Sequence, residues 1–140
     1  WTNAMTPTAC LVGGAVENSL TVAVGGGDGN PTGTEYAIAC ATTGQWVQAD
    51  GTLGSAPVWR TAADWGTLRV TGLASNALQT FAATARSAAG VLTEAGPSAS
   101  ATTLETTIPT GTIMINGGAA YIRESEVTLT LTASDGAVRV

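Results

Sequence analysis

Residues 67–86 read TLRVTGLASNALQTFAATAR and predict two β-strands joined by a short polar corner. Leu68 and Val70 share one face of the first strand, because side chains alternate between faces along a strand. Leu73 follows a bend at Gly72. Alternate positions of the second strand share one face of that strand, and they are Gln79, Phe81, Ala83 and Ala85. This alternation is typical of a sheet with one buried face.

The rest of the first hundred or so residues has the same character. Alternating stretches between turn residues predict strands at 8–12, 20–24, 34–41, 45–48 and 97–103, with at most a brief extended piece at 58–60. Seven short strands separated by turn signals predict an all-β fold, an antiparallel β-sandwich. The predicted core residues are Leu68, Val70, Leu73, Phe81, Tyr36 and Ile38.

The charged residues are few and scattered, which argues against several classes of function. The chain has no lysine and no histidine, and five arginines stand against ten carboxylates. General acid–base catalysis lacks its usual residues, and nucleic-acid binding lacks a cluster of cations. No apolar run approaches the roughly 18 residues that span a bilayer. We therefore expect no catalytic residue, metal, cofactor, nucleic-acid partner or membrane span in this segment.

The length and the ends predict a segment of a longer polypeptide. The 140 residues suffice for one sandwich of about 100 residues but not for two. The chain begins at Trp1 without a methionine or a signal-like segment, and it ends at Val140 within an alternating stretch. A composition rich in Thr, Ala, Gly, Val and Ser favours an extracellular all-β module. We expect an extracellular or cell-surface location.

A spaced set of residues resembles a bacterial fibronectin type III domain. The set comprises Pro7 at the entry, Tyr36 on the third strand, the Thr71-Gly72-Leu73 corner, the Phe81/Ala83/Ala85 strand running into 87–90, and the closing 96–98. The resemblance covers roughly residues 7–103. It implies a linker at 1–6 and a fibronectin type III-like domain at 7–104.

Two positions depart from the pattern of that family. Val24 stands where a tryptophan usually ends the second strand, and Gln79 stands where a tyrosine usually follows the corner. The departures imply a lighter core and the loss of the hydrogen bond that the tyrosine hydroxyl makes at the corner. The candidates for the missing aromatic bulk are Trp46, Trp59, Trp65 and Phe81.

Residues 111–140, after a linker at 105–110, resemble the opening strands of a bacterial immunoglobulin-like repeat. The resemblance rests on the alternation in 111–118, on Tyr121 and on the alternation in 127–131. It implies an incomplete second β-sandwich domain with exposed strand edges. We expect neighbouring domains of the same polypeptide, or identical subunits, to complete it.

The two cysteines, Cys10 and Cys40, are candidates for a disulfide, as in many secreted chains. In the implied topology they lie on strands that run the same way in opposite sheets. Their Cα atoms should then lie farther apart than the roughly 5.5 Å that a bridge requires. We expect two buried free thiols that pack as small apolar groups. Two sulfurs without a histidine do not complete a zinc site.

Trp46 and Trp59 are the candidate binding residues, because an exposed aromatic side chain offers a flat face to a sugar ring. The competing interpretation places them in the core. A calcium site from Asp28, Asn30 and Glu35 is the weaker alternative to turn residues that hydrogen-bond to their own backbone. No pair of neighbouring carboxylates suggests a glycosidase, and no serine has a histidine or lysine as base.

These observations favour a non-catalytic structural or interaction module of a large secreted or surface-displayed prokaryotic protein, with a role in spacing, adhesion or assembly. One alternative is a protomer of an extracellular filament or surface layer that assembles by strand addition. Another is a carbohydrate-binding accessory module of a secreted hydrolase. Exposed tryptophans on a flat surface would favour carbohydrate, and strand pairing between molecules would favour assembly.

Overall fold

A computed structural model describes residues 3–106, 110–115 and 129–134. The chain divides into two compact units, Trp1–Glu105 and Thr106–Val140. The elements described in the first unit are β1 (Leu11–Gly13), β2 (Leu20–Ala23), β3 (Glu35–Cys40), β4 (Gln45–Val47), β5 (Leu53–Gly54), β6 (Arg60–Thr61), α1 (Ala62–Trp65), β7 (Leu68–Val70), β8 (Leu78–Arg86) and β9 (Ala99–Thr102).

The strands of the first unit form two antiparallel sheets. The smaller sheet has the order β1-β2-β7, and the larger has the order β5-β4-β3-β8-β9, with β6 also paired to β3. Leu20 lies opposite Val70 in the smaller sheet, and Ile38 lies opposite Ala83 in the larger one. The all-β, antiparallel sandwich predicted from the sequence is confirmed.

Strand alternation determines which side chains form the core. Along β8, which begins at the exposed Leu78, buried residues occupy every second position, and Phe81 is fully buried. Five of the predicted core residues are at most 5% exposed: Tyr36, Ile38, Val70, Leu73 and Phe81. Leu68 differs, since it packs against the core but stays half-buried. It begins β7, an edge strand, so no further strand covers its outer side.

Helix α1 was not predicted, and it brings Trp65 into the core. Thr61 caps the helix, because its hydroxyl accepts from the backbone N–H of Asp64 at 3.1 Å. The Trp65 side chain is 3% exposed, and its indole N–H donates to the backbone oxygen of Tyr36 at 2.8 Å. Trp65 thus supplies aromatic bulk to the same core cluster that contains Val24.

A tight turn packs against the edge strand β7. Gly51 is buried, has a φ of +87°, and accepts a hydrogen bond from the backbone N–H of Thr71 at 2.9 Å. A Cβ atom at Gly51 would lie 2.1 Å from the backbone oxygen of Arg69. The turn therefore requires glycine, both for its conformation and for its close approach to β7.

The second unit contains two described strands, β10 (Thr110–Ile115) and β11 (Leu129–Ser134), which pair antiparallel. Their register sets Ile113 opposite Leu131 and Ile115 opposite Leu129. Other parts of the predicted immunoglobulin-like pattern, including Tyr121 and residues 116–118, 127 and 128, lie outside the described residues. No helix among the described residues combines the length and apolar character that crossing a membrane requires.

Candidate interaction surface

Trp46 lies on the outer face of the larger sheet, the face directed away from the smaller sheet. Val47 beside it is fully buried and Trp46 is half-buried, as alternation along β4 requires. Trp46 pairs with Ala39 on one side and with Gly54 on the other. Because both cross-strand partners are small, neither covers the indole.

Trp59 lies just before β6, and an arginine covers its ring. The guanidinium carbon of Arg86 lies 4.6 Å from the centre of the Trp59 ring, a cation–π contact. Arg86 also forms a salt bridge with Glu35, its cross-strand neighbour, and donates from both Nε and Nη2 to Glu35 Oε2. The two charges offset each other and fix the guanidinium group over Trp59.

Small residues form the centre of the outer face, between β4 and β9, and the end of this area is covered, since Ala37, opposite Thr84, is fully buried. We call this area the β3–β8 floor and define it as Ala39, Thr80, Ala82 and Thr84, all half-buried. Ala39 pairs with Ala82 across the two strands. The Thr80 hydroxyl is 2.8 Å from the Ser100 hydroxyl of β9, so hydroxyl groups border the floor on the side opposite Trp46.

The two tryptophans proposed as binding residues therefore lie on one sheet face but in different environments. Trp46 borders the floor, whereas a salt-bridged arginine occupies a face of Trp59. Arg86 was not among the predicted site residues, and Glu35 was predicted only as part of a calcium alternative. Strand alternation was the signal that could have found this pair. It places Glu35 at the start of one strand and Arg86 at the end of another, both on outward-facing positions, where opposite charges can pair across strands.

The glycine-rich loop forms a closed hydrogen-bond network around Asp28. Its carboxylate accepts from the Asn30 backbone N–H at 3.0 Å, from the Asn30 side chain at 2.8 Å and from the Tyr36 hydroxyl at 2.6 Å. Asn30 also accepts from the Met5 backbone N–H and donates to the Met5 backbone oxygen. The network ties the start of the chain to the loop, which agrees with the turn interpretation of these residues.

The same network shifts two pKa values in opposite directions. Burial and the hydrogen bond to Asp28 raise the pKa of Tyr36 to about 12. Partial burial acts to raise the pKa of Asp28, but the hydrogen bonds from Tyr36 and Asn30 outweigh it, and the pKa lies below its ordinary value. At neutral pH the pair is therefore a neutral phenol that donates to a carboxylate.

Both cysteines are buried and free. Burial raises the pKa of the Cys10 thiol to about 11, and the Cys40 thiol lies 3.7 Å from the side-chain oxygen of Gln79. Neither thiol has the exposed, electropositive surroundings that make a cysteine reactive. Gln79, which replaces the expected tyrosine, is 2% exposed and partners Cys40.

Thr103 forms the hydrogen bonds at the corner, a role that the sequence analysis did not assign to it. Its hydroxyl donates to the backbone oxygen of Ala74 at 2.6 Å and accepts from the backbone N–H of Ala77 at 3.1 Å. The residue is 2% exposed. A buried threonine just after β9 therefore holds the corner where the resemblance implied a tyrosine.

The carboxylates of the described residues have local structural partners in several places. Asp64 accepts from the hydroxyl of its helix cap, Thr61. Asp50 accepts from the hydroxyl and the backbone N–H of Thr52, and these bonds lower its pKa. In the part of the chain that the structure describes, no group of three or more His, Cys, Asp or Glu side chains is placed to hold a metal ion.

Comparison with known proteins gives a likeness at the level of structure. No protein-family model matches the chain, and no curated protein sequence matches it. Among solved structures, the fibronectin type III domain of human fibronectin type III domain containing protein 3 matches with a TM-score of 0.51 and 15% identity. That match covers 74% of this chain and 89% of the human domain.

A second solved structure is the Family 28 exopolygalacturonase of Yersinia enterocolitica, with a TM-score of 0.50 and 15% identity. The match covers 73% of this chain and 21% of the enzyme chain. At this identity the likeness concerns the fold alone. The chain therefore contains a fibronectin type III-like β-sandwich.

Proposed function

We propose that this chain is a non-catalytic structural and interaction module of a large secreted or surface-displayed prokaryotic protein. The observation that carries the proposal is the outer face of the larger sheet. There, Trp46 and the β3–β8 floor lie accessible on a sandwich whose core is closed. A rigid sheet that presents an aromatic side chain is suited to holding a partner in place.

Hydrogen bonding supports a non-catalytic role for four of the described carboxylates. Asp28, Asp50 and Asp64 accept from turn or cap groups, and Glu35 pairs with Arg86. Carboxylates held in this way stabilise local structure. Support for the secreted or surface setting comes from the composition and from a fold that is often used as a structural or interaction module.

Assembly by strand addition is an alternative that the second unit supports. Its described part is a two-stranded antiparallel sheet, β10 with β11. An isolated two-stranded sheet is marginally stable in water, and its edges accept further strands. A neighbouring copy that supplies such strands would make the chain a protomer of a filament or surface layer.

Carbohydrate binding as the accessory module of a secreted hydrolase is the second alternative, and the position of Trp46 favours it. The indole borders small residues and hydroxyl groups, as a sugar-stacking residue does. The likeness to a segment of an exopolygalacturonase chain adds support, since that enzyme carries a similar fold as about a fifth of its length.

Two measurements test the leading proposal. Antibodies raised against the chain should label intact cells of the source organism, and the purified chain should release no product from chromogenic ester, glycoside and peptide substrates. Turnover that disappears in Glu35→Gln but persists in Glu17→Gln would overturn the non-catalytic assignment. Labelling confined to broken cells would overturn the surface assignment.

A further inference from the structure

We propose that the β3–β8 floor, with Trp46 as its aromatic wall, is a binding site for a neutral oligosaccharide. The inference rests on the interaction role proposed above and names the partner of that surface. It treats carbohydrate binding as a property of the outer face itself, whether or not the parent protein is a hydrolase.

The shape of the floor fits an extended ligand. Thr80 and Thr84 lie four positions apart on β8, a distance of about 14 Å along the strand. The short side chains of the cross-strand pair Ala39 and Ala82 leave a shallow depression at the centre of the floor. Trp46 and Ser100 border this depression on opposite sides. A chain of sugar rings can lie along such a surface with one ring against the indole.

The chemistry of the floor favours an uncharged polyol. Its side chains are methyl groups and threonine hydroxyls, with the Ser100 hydroxyl beside Thr80. The charges nearest along β3 and β8, on Glu35 and Arg86, offset each other in a salt bridge. A sugar ring offers C–H groups to Trp46 and hydroxyls to the threonines, and it requires no unpaired charge.

A peptide fits this surface less well than a saccharide. The backbone groups of β3 and β8 already pair with each other and with the flanking strands. An extended peptide on the sheet face therefore gains none of the ladder hydrogen bonds that strand addition provides. A ligand on this face can contact side chains only, and the hydroxyl-rich rings of a saccharide can use such contacts.

Trp46, and not Trp59, is the stacking residue in this proposal. The Arg86 guanidinium group covers a face of Trp59, and its salt bridge with Glu35 holds it there. A sugar that stacked on that face would have to displace the guanidinium group. Trp59 and Arg86 instead close the end of the floor near Glu35.

The test is calorimetric titration of the complete chain with cellooligosaccharide, xylooligosaccharide, maltooligosaccharide and the anionic oligogalacturonide. We expect saturable binding of at least one neutral oligosaccharide and at least tenfold weaker binding of oligogalacturonide. Trp46→Ala should lower the affinity for the neutral oligosaccharide at least tenfold. Ala82→Gln fills the floor without altering the tryptophan, and it should lower this affinity to a similar extent.

Leu11→Ala is the matched control, because Leu11 is an exposed apolar residue of the smaller sheet. It should leave the affinity unchanged. Proton–nitrogen NMR spectra of each variant establish that the sandwich is folded, so that a loss of binding is not mistaken for unfolding. If Trp46→Ala does not fold, Ala82→Gln alone decides the site.

Two outcomes would overturn the inference: no saturable binding of any neutral oligosaccharide, or binding that both variants leave unchanged. Stronger binding of oligogalacturonide than of every neutral probe would overturn the choice of an uncharged ligand. These results leave the proposed module function standing, because that function is tested by cell labelling and by the absence of turnover. Hydrolysis of a bound probe would instead overturn the non-catalytic assignment.

Discussion

At the scale of single residues, Thr103 shows how a small polar side chain can hold a corner. Its hydroxyl bridges Ala74 and Ala77 from the position just after β9, and the residue is almost fully buried. Thr103 reaches these backbone groups because the chain just after β9 runs alongside the corner, where the Thr103 backbone N–H also donates to the Ala77 oxygen at 3.1 Å. The resemblance had implied that this connection would be missing.

Replacing Thr103 with valine should lower the free energy of unfolding by about 2 kcal/mol, because the N–H of Ala77 and the oxygen of Ala74 lose the hydroxyl that partners both. Thr102→Val is the control, since Thr102 is the exposed neighbouring residue at the end of β9 and β-branching is retained. Its effect should stay within about 0.5 kcal/mol. Urea unfolding followed by tryptophan fluorescence measures both, and equal midpoints would contradict the role of the hydroxyl.

The Tyr36–Asp28 pair makes stability depend on pH at the alkaline end. The pKa of Tyr36 is raised from an ordinary 10.0 to about 12, so the folded state favours the protonated phenol. The stability from this shift is fully present below pH 10 and is lost as the pH rises towards 12. The lowered pKa of Asp28 acts at the other end, where its contribution is lost as the pH falls through that pKa.

Tyr36→Phe should therefore reduce stability by about 2 kcal/mol at neutral pH and should flatten the decline between pH 10 and 12. Cys10 also contributes an alkaline decline, since its pKa is raised from 9.0 to about 11. The variant Cys10→Ala separates the two, because it should retain the decline between pH 11 and 12. A decline of the same size in Tyr36→Phe and in the unaltered chain would show that this phenol is not responsible.

At the scale of elements, the turn around Gly51 determines how edge strand β7 is covered. The backbone of the turn packs against Arg69, and Gly51 accepts from Thr71 just beyond the strand. Such coverage blocks part of an edge that would otherwise be open to another chain. The local glycine conformation and the protection of the edge are therefore linked.

Gly51→Ala should destabilise the first unit by about 3 kcal/mol, because it adds a positive-φ penalty to a clash with the β7 backbone. Gly27→Ala is the matched control. Gly27 has a similar φ of +84°, but a Cβ there meets no atom within 4 Å. Its cost should be about 1 kcal/mol. Thermal unfolding by circular dichroism measures both, and equal losses would contradict the importance of the close approach.

At the scale of the whole molecule, the two units differ in how much structure they can support alone. The first unit closes a core between two sheets, whereas the described part of the second is a single pair of strands. Ile113 lies opposite Leu131 and Ile115 opposite Leu129, a pattern that needs further chain to cover it. We therefore expect the second unit to depend on additional chain or on another subunit.

Hydrogen exchange on the 140-residue chain tests this dependence. In a monomer, the amides of β11 should exchange within minutes while those of the central strand β8 remain protected, because local stability differs between the units. Truncation after residue 105 should leave the protection of β8 unchanged. Slow exchange in β11 of a proven monomer would rule out the dependence and weaken the filament alternative.

The sequence by itself determined most of the strand pattern and most of the core, although the short strand β5 and helix α1 were not predicted. Alternation in residues 67–86 identifies which side chains face inward, because a strand with one buried face must place apolar residues at every second position. Phe81, Val70 and Ile38 could therefore be assigned to the interior without coordinates. The same parity argument places Trp46 on the opposite face to Val47.

Only the tertiary structure decided the contacts between residues far apart in the chain. Three such contacts join separate segments. Arg86 covers Trp59 and pairs with Glu35, the Thr103 hydroxyl bonds to the corner, and the Trp65 indole N–H donates to the Tyr36 backbone oxygen. Periodicity states which face a side chain occupies, but not which distant strand lies beside it. Strand order and register set those neighbours, and they depend on packing the two sheets together.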